Sequence, residues 1–199
     1  LGIASALGRE REGKLALLQV LARLIDQGSR LSAVRLAQSH ALCEILGLEK
    51  LDEDDLYENL AWLAEHQEEL EKSLFAARFP SAVPTLFLYD VTSSYLEGEH
   101  NELGAYGYNR DRKKGKLQIV VGLLAGPDGL PVAARVFEGN TNDTKTVSEQ
   151  VRILAESFGV KQVTLVGDRG MLKGPQLDAL PDDFRYITAI TKPQIAKLL

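Results

Sequence analysis

The sequence predicts an α/β fold in which a helical region precedes a mixed β-sheet. Hydrophobic residues recur at helical spacing up to Phe79, and from Thr85 onward they follow the shorter period of a strand. The Gly-Pro-Asp-Gly run at residues 126–129 favours a tight turn between two strand-like segments. A segment with helical spacing then precedes a further strand, as in a crossover between parallel strands. These observations predict a three-stranded antiparallel meander followed by parallel strands, with flanking helices.

We place the boundary between the two regions near residue 80, which gives a helical N-terminal region over 1–80 and a sheet-containing region over 81–199. The first helix is expected to end at Gly28, and the second to cover about residues 32–46. The third is expected over about 52–79, with acidic residues in its first turn, where the helix dipole favours them. A plain helical bundle and a region that binds a partner or a DNA end both fit this pattern, although no basic recognition helix stands out.

Composition narrows the class of protein. A net charge of −5 and a pI near 5.3 argue against attraction of the whole chain to nucleic acid, but they leave a local basic patch open. The single cysteine, Cys43, excludes an intramolecular disulfide and any zinc site with several cysteines. The apolar run over 117–127 is too short to span a bilayer, and the N-terminus lacks signal-peptide features. We therefore expect a soluble, cytoplasmic protein; because the chain begins at Leu1 rather than Met, we also expect it to be part of a longer one.

The elements of the second region can be assigned in order. The predicted strands and helices are strands over 85–95, 117–124 and 130–137, a helix over about 144–158, a strand over 162–167, a short helix over 175–180 and a last strand over 184–190. A right-handed crossover through the first of these helices returns the fourth strand parallel to the first. The first and fourth strands are therefore expected to be neighbours.

Each of these two neighbouring strands carries one acid. Asp90 stands at the centre of the first strand, which we expect to be buried, and a buried charge costs several kcal/mol unless it is compensated. Asp168 follows the fourth strand directly. Either acid alone could simply accept hydrogen bonds from backbone amides. Together, two close carboxylates repel each other unless they share a proton or bind divalent cations, and ligands that are all oxygen favour Mg²⁺ or Mn²⁺.

The connection after the first strand carries a basic cluster. It consists of Arg110, Arg112, Lys113, Lys114 and Lys116, with Tyr106 and Tyr108 just upstream. Basic residues beside aromatic ones suit the phosphates and bases of a nucleic acid. A solvated loop is the alternative interpretation.

Five blocks in this order resemble DDE transposases of bacterial insertion sequences. The blocks are Tyr89–Ser93, Gly107–Asp111, Gln118–Leu124, Phe137–Asp143 and Gly167–Met171. The resemblance covers about residues 85–190. It implies the N-terminal part of a ribonuclease H-like catalytic domain, cleavage of a DNA strand, strand transfer with two divalent ions (Mg²⁺ or Mn²⁺), and an active complex that is a homodimer or larger.

Site residues follow from the resemblance by position. Asp90 and Asp168 match the first two catalytic, metal-binding acids of the family. The third, a glutamate, has no counterpart before Leu199, and Glu138 would end an outer strand, so we expect this chain to be inactive alone. The residues expected to bind DNA are Tyr108, Arg110, Arg112, Lys113, Lys114, Lys116, Asn140 and Arg169.

Two other functions stay open at this point. Asp90-x-Thr92 and Gly167-Asp168 loosely resemble motifs of haloacid dehalogenase-type phosphatases, in which Asp90 would be a covalent nucleophile. That fold requires parallel strands, whereas the turn over 126–129 favours an antiparallel hairpin. The other possibility is an inactive transposase that only binds DNA or partner subunits.

Overall fold

A computed structural model describes residues 2–98, 100–107, 115–168, 171, 180 and 182–189 of the chain. The chain divides into two compact units, Leu1–Pro80 and Ser81–Leu199. The helices of the first unit are α1 (Ile3–Leu7), α2 (Arg11–Ile25), α3 (Arg30–Ser39), α4 (Leu42–Leu46), α5 (Glu53–Glu65) and α6 (Gln67–Arg78).

The core of the helical unit lies between α2, α3 and α5. Its buried residues are Leu15, Leu18, Val34, Ala37, Leu48 and Leu56. Helix α5 begins with a reciprocal cap, since the Asp52 carboxylate accepts from the Asp55 N–H and the Asp55 carboxylate accepts from the Asp52 N–H. Gly47 ends α4 with φ +64°, a conformation that glycine adopts at little cost.

Two predicted helices are each interrupted, and in this respect the prediction was wrong. The second ends at His40, whose backbone is extended, before α4 begins at Leu42. The third is interrupted at His66, where φ and ψ are −98° and 4°. The His66 ring stacks on Trp62, and its Nδ1 lies 2.9 Å from the Trp62 carbonyl oxygen. Local contacts between a side chain and the backbone therefore compete with continuation of this helix.

The second unit contains a five-stranded mixed sheet. The strands are β1 (Leu86–Tyr95), β2 (Gln118–Ala125), β3 (Pro131–Glu138), β4 (Val163–Val166) and β5 (Phe184–Ile187), in the order β3-β2-β1-β4-β5. β2 is antiparallel to β1 and β3, whereas β1, β4 and β5 are mutually parallel. The predicted α/β fold, with its meander and its parallel neighbour for β1, is confirmed.

One crossover helix connects β3 to β4. It comprises α7 (Asp143–Arg152) and a π-helical turn over Ile153–Ser157, and it is followed by Gly159 with φ +64°. Val147, Ile153 and Leu154 on this segment are buried. Residues 175–179 of the helix predicted over 175–180 lie outside the described residues.

Only one face of β1 is buried. Phe87, Tyr89 and Val91 point into the core, whereas Asp90 and Thr92 are exposed on the opposite face. The expectation that Asp90 is buried was therefore wrong. The apolar run suggested burial on both faces, but the strand alternates as a sheet with one packed face does.

Candidate active site

The register of the sheet places Asp90 beside Asp168. β1 and β4 pair in parallel with Leu86 opposite Thr164 and Leu88 opposite Val166. Continued by two residues, this register sets Asp90 opposite Asp168. Neighbouring strands lie about 4.8 Å apart, and residues that pair in register point to the same face. Asp90 and Asp168 each lie two residues beyond the last paired residues, Leu88 and Val166, so the alternation of side chains puts both acids on the face that carries those two residues.

Both acids line one open cleft of about 450 Å³. Its other lining residues are Leu88, Tyr89, Leu123, Ala125, Val166 and Gly167. Asp90 and Asp168 are exposed, and the Asp90 Oδ1 accepts a hydrogen bond of 2.8 Å from the N–H of Val91. The cleft thus offers carboxylate oxygens between apolar walls and is open to solvent.

The chain fixes Asp168 through a short turn. The Gly167 N–H still donates to the Ile187 carbonyl of β5, at 3.1 Å. The Asp168 carbonyl then accepts from the Met171 N–H at 3.0 Å, and the Met171 side chain is buried. A strand bond before Asp168 and a buried anchor after it hold its backbone at the end of β4.

Carboxylate oxygens are the ligands that Mg²⁺ and Mn²⁺ prefer, so the two acids fit such an ion chemically. Within the described residues, no group of three or more His, Cys, Asp or Glu side chains is arranged to hold a metal. Glu138 does not complete the pair. Glu138 of β3 pairs with Ile119 of β2, which in turn pairs with Ser94 of β1. Glu138 is therefore two strands away from Asp90 and four residues further along the strand direction.

Two of the predicted DNA-binding residues lie in the described part of the chain. Lys116 is exposed, and its Nζ lies 2.7 Å from a carboxylate oxygen of Glu97; this hydrogen bond and the adjacent charge raise the pKa of Lys116. Asn140 is exposed in the turn that follows β3. The others, Tyr108, Arg110, Arg112, Lys113, Lys114 and Arg169, lie outside the described residues.

A close backbone contact near these residues was not predicted. Gly107 and Gly139 meet so closely that a Cβ on Gly107 would overlap the Gly139 carbonyl, and a Cβ on Gly139 would overlap the carbonyls of Gln118 and Ala105. Gln118 is 2 % exposed, and its amide donates to the Gly139 carbonyl at 2.7 Å. We call Gly107, Gly139 and Gln118 the glycine clamp. The only sequence signal was a glycine in each of two motif blocks.

A second unpredicted feature lies behind Asp90. Tyr89 is 3 % exposed, and its hydroxyl lies beside the side chains of Thr146 and Gln150 from α7. Burial raises the pKa of Tyr89 to about 12. Gly122 on β2 leaves room for the ring, because a Cβ there would overlap the tyrosine hydroxyl.

Comparison with known proteins supports this description. The model of the family described as the Transposase DDE domain matches residues 81–197, which is more than half of the chain. The chain belongs to the DDE transposase family.

The antiparallel pairing of β1 with β2 and of β2 with β3 also contradicts the parallel order that a haloacid dehalogenase-type phosphatase requires.

Two solved structures are similar to this DDE transposase chain, both at low identity. One is the Mos1 transposase paired-end complex with left transposon end (12% identity, TM-score 0.33), and the other is the Mos1 strand transfer complex (13% identity, TM-score 0.32). Each match covers 94% of this chain and 61% of the other, so the chain spans less than two thirds of the length of these proteins. No curated protein matches the chain. Across the described residues, no helix combines the length and hydrophobicity needed to cross a membrane.

Proposed function

We propose that this chain contributes the acidic cleft of a metal-dependent DNA transposase, which cleaves a DNA strand and transfers its end by phosphoryl transfer. The observation that carries the proposal is the convergence of Asp90 and Asp168 on one cleft from adjacent parallel strands, within a DDE transposase domain. An exposed cleft suits a large substrate such as DNA better than an enclosed cavity would.

The roles of the cleft residues follow from their chemistry. Asp90 and Asp168 would hold Mg²⁺ or Mn²⁺ through their carboxylates. When bound, such ions activate water and stabilise the oxygens of an in-line phosphoryl displacement. The backbone at Asp90 is held by its pairing with Leu123 of β2, and the Val91 N–H donates to the Asp90 carboxylate; the turn to Met171 holds the backbone at Asp168. Leu88, Leu123 and Val166 supply apolar walls around them.

The basic cluster and its neighbours would bind the DNA backbone. Lysine and arginine side chains neutralise phosphates and release counterions, so each contact contributes to affinity and to its salt dependence. The residues proposed for this role are Tyr108, Arg110, Arg112, Lys113, Lys114, Lys116, Asn140 and Arg169. An active complex of at least two copies is part of the proposal, since strand transfer would involve two transposon ends and a target DNA.

We further propose that the two acids need another carboxylate for catalysis. Asp90 and Asp168 are the carboxylates that line the cleft within the described part of the chain. Two metal ions and an oriented water require closely defined positions, and catalysis that depends on positioning falls steeply when the geometry loosens. A DNA-binding protein without cleavage activity is the alternative function that this feature favours.

The test of the cleavage proposal is metal-dependent nicking of DNA, measured with the protein expressed from the complete reading frame that contains these residues. The substrate is a duplex copied from the DNA end that flanks the encoding gene. Asp90→Asn and Asp168→Asn should each reduce nicking by about 100-fold or more, because the charge of a metal ligand is removed. The matched control is Asp182→Asn, an exposed acid just before β5, and it should leave the rate unchanged. Equal nicking by all variants would refute the proposal.

A further inference from the structure

We infer that a groove in the helical unit is a self-association surface, through which two copies of this chain form a two-fold symmetric dimer. The groove has a volume of about 350 Å³ and lies between α2, α5 and the start of α3. The proposed function includes at least two copies but assigns no surface to their contact. This inference goes beyond it by naming that surface, and it depends on neither the acidic cleft nor DNA.

The groove is lined mainly by apolar side chains. These are Ala16, Val20, Ala22, Leu24, Ala33, Leu60 and Leu63. Leu60 and Leu63 of α5 are only partly buried, although their helical spacing is typical of a packed face. Because apolar surface is stabilised by removal from water, an apolar occupant is favoured here.

An apolar ridge stands beside the groove on the same surface. Val20 and Leu24 lie four residues apart on α2, so their side chains are neighbours along the helix. Leu24 is 78% exposed, more than any other large hydrophobic residue in the described part of the chain. Ridges of this spacing pack into grooves on other helices. One surface thus carries both a ridge and a groove of matching chemistry, as a two-fold interface requires.

The charged residues of the groove are also self-complementary. Arg30 and Asp26 both line it, and the Arg30 Nε is shielded from solvent without a hydrogen-bond partner among the described residues. A buried donor left unpaired is costly, so an acceptor from outside the copy stabilises it. The Asp26 Oδ2 accepts from the Ser32 hydroxyl at 2.7 Å, and Oδ1 has no partner in the described structure. We assign the partner subunit's Asp26 as the acceptor for Arg30.

The position of Leu24 indicates where the two-fold axis passes. Leu24 belongs to the wall of the groove as well as to the ridge, so insertion of the partner subunit's Leu24 brings the two leucines side by side. Asp26 and Arg30 follow Leu24 by two and six residues, so an axis near Leu24 also brings the opposite charges together, twice. A second copy therefore supplies both the apolar ridge and the carboxylate that the groove requires.

Self-association of the 199-residue chain, without DNA or metal ions, tests the inference. Sedimentation equilibrium should show a monomer–dimer equilibrium with a Kd of roughly 1–100 μM, since few side chains form the contact. Leu24→Gln should raise this Kd about tenfold or more, because a polar group enters an apolar groove. The matched control is Ile45→Gln on α4, which is 75% exposed but does not line the groove, and it should leave the Kd unchanged. A chain that stays monomeric, or equal effects of both variants, would overturn the inference.

Charge reversal tests the pairing of Arg30 with Asp26. Arg30→Asp and Asp26→Arg should each raise the Kd about tenfold, because like charges then face each other at two places. An equal mixture of the two variants should associate like wild type, since each copy then meets opposite charges on the other. Circular dichroism checks that both variants are folded. Recovery in the double variant Arg30→Asp/Asp26→Arg without recovery in the mixture would show a pair within one copy, and would overturn the inferred contact.

The outcomes separate this inference from the proposed function. If the chain is monomeric while nicking by the complete protein requires Asp90 and Asp168, the inferred dimer is wrong and the proposed function stands. If the chain dimerises through Leu24 while Asp90→Asn and Asp168→Asn nick DNA as wild type does, the proposed function fails and the dimer stands.

Discussion

Lys116 shows how a single neighbour modifies a basic residue proposed to bind DNA. Glu97 lies 2.7 Å from its ammonium group, and both side chains are exposed. An exposed ion pair of this kind is weak, at about 0–1 kcal/mol, so a phosphate can compete with Glu97 for the lysine. The carboxylate nevertheless adds a negative charge where a phosphate is proposed to bind.

We therefore expect Glu97→Gln to strengthen binding of duplex DNA. The Lys116 ammonium then interacts with phosphate alone, and the salt slope should become steeper by up to about 0.9. Fluorescence anisotropy over a series of salt concentrations measures this. Glu102→Gln, an exposed acid in the same connection, is the matched control. If Glu97→Gln and Glu102→Gln change the slope equally, the effect comes from net charge and Lys116 has no special role.

The buried hydroxyl of Tyr89 should make the free energy of unfolding depend on pH at alkaline pH. Burial raises its pKa in the folded chain to about 12, whereas an unfolded tyrosine ionises near pH 10. The unfolded chain therefore loses this proton first as the pH rises. The protonated Tyr89 hydroxyl therefore adds to the free energy of unfolding below pH 10. This contribution, roughly 2–3 kcal/mol in total, is lost between about pH 10 and pH 12.

The measurement compares wild type with Tyr89→Phe by urea unfolding at several pH values from neutral to above 10. Other tyrosines and lysines titrate in the same range, so the difference between the two proteins is the quantity of interest. We expect wild type to lose stability relative to Tyr89→Phe as the pH rises above 10. A constant difference would show that the Tyr89 hydroxyl is not buried as described.

At the scale of single elements, the helical unit depends on well-formed helix ends. The cap of α5 joins Asp52 and Asp55, and the Asp55 carboxylate also pairs with Arg11 of α2. The hydrogen bond from the Asp52 backbone is the main reason that the pKa of Asp55 is lowered. One cap thus stabilises the start of α5 and connects it to α2.

We expect Asp52→Ala to lower the stability of the helical unit by about 1 kcal/mol, since the Asp55 N–H loses its side-chain acceptor. Urea unfolding followed by far-ultraviolet circular dichroism measures this. Asp54→Ala changes an acid in the same first turn that takes no part in the cap, and it should cost less. Equal losses in the two variants would assign the effect to the helix dipole instead of the cap.

The sheet was predictable from the sequence because its signals are local. The turn over 126–129 predicted the antiparallel hairpin, and the helical segment before β4 predicted the crossover that puts β4 beside β1. The breaks at His40 and His66 were not predictable, because the hydrophobic spacing continues through both. The glycine clamp joins residues 107 and 139, which are distant in the chain, so only the folded sheet reveals their contact.

At the scale of the whole molecule, charge is unevenly distributed. Residues 1–80 contain 14 acidic and 9 basic residues, whereas residues 81–199 contain 14 of each. The net charge of −5 therefore belongs to the helical unit, and the unit that carries the acidic cleft is neutral overall. Net charge thus opposes nucleic-acid binding by the first unit and leaves the second free to bind DNA through local basic residues.

The number of carboxylates in the cleft determines how tightly the chain is expected to bind a divalent metal ion. Two carboxylates can hold one divalent ion loosely, whereas two ions and an attacking water require further ligands. Glu138 cannot supply one without a large rearrangement, because it is roughly 10 Å across the sheet and 14 Å along it from Asp90. The chain should therefore bind Mn²⁺ weakly and in a manner that depends on Asp90 and Asp168, which electron paramagnetic resonance can measure.

We expect that the 199-residue chain by itself does not nick DNA, even with Mg²⁺ or Mn²⁺ in excess. The measurement is conversion of supercoiled plasmid to its open circular form, with the protein from the complete reading frame as the positive control. Weak Mn²⁺ binding without nicking would agree with an acid pair that needs another ligand. If the chain did nick DNA and Asp168→Ala abolished this, the remaining ligand would have to come from these 199 residues. Glu138→Gln would then be the first variant to test, because loss of nicking there would require the end of β3 to move toward the cleft during catalysis.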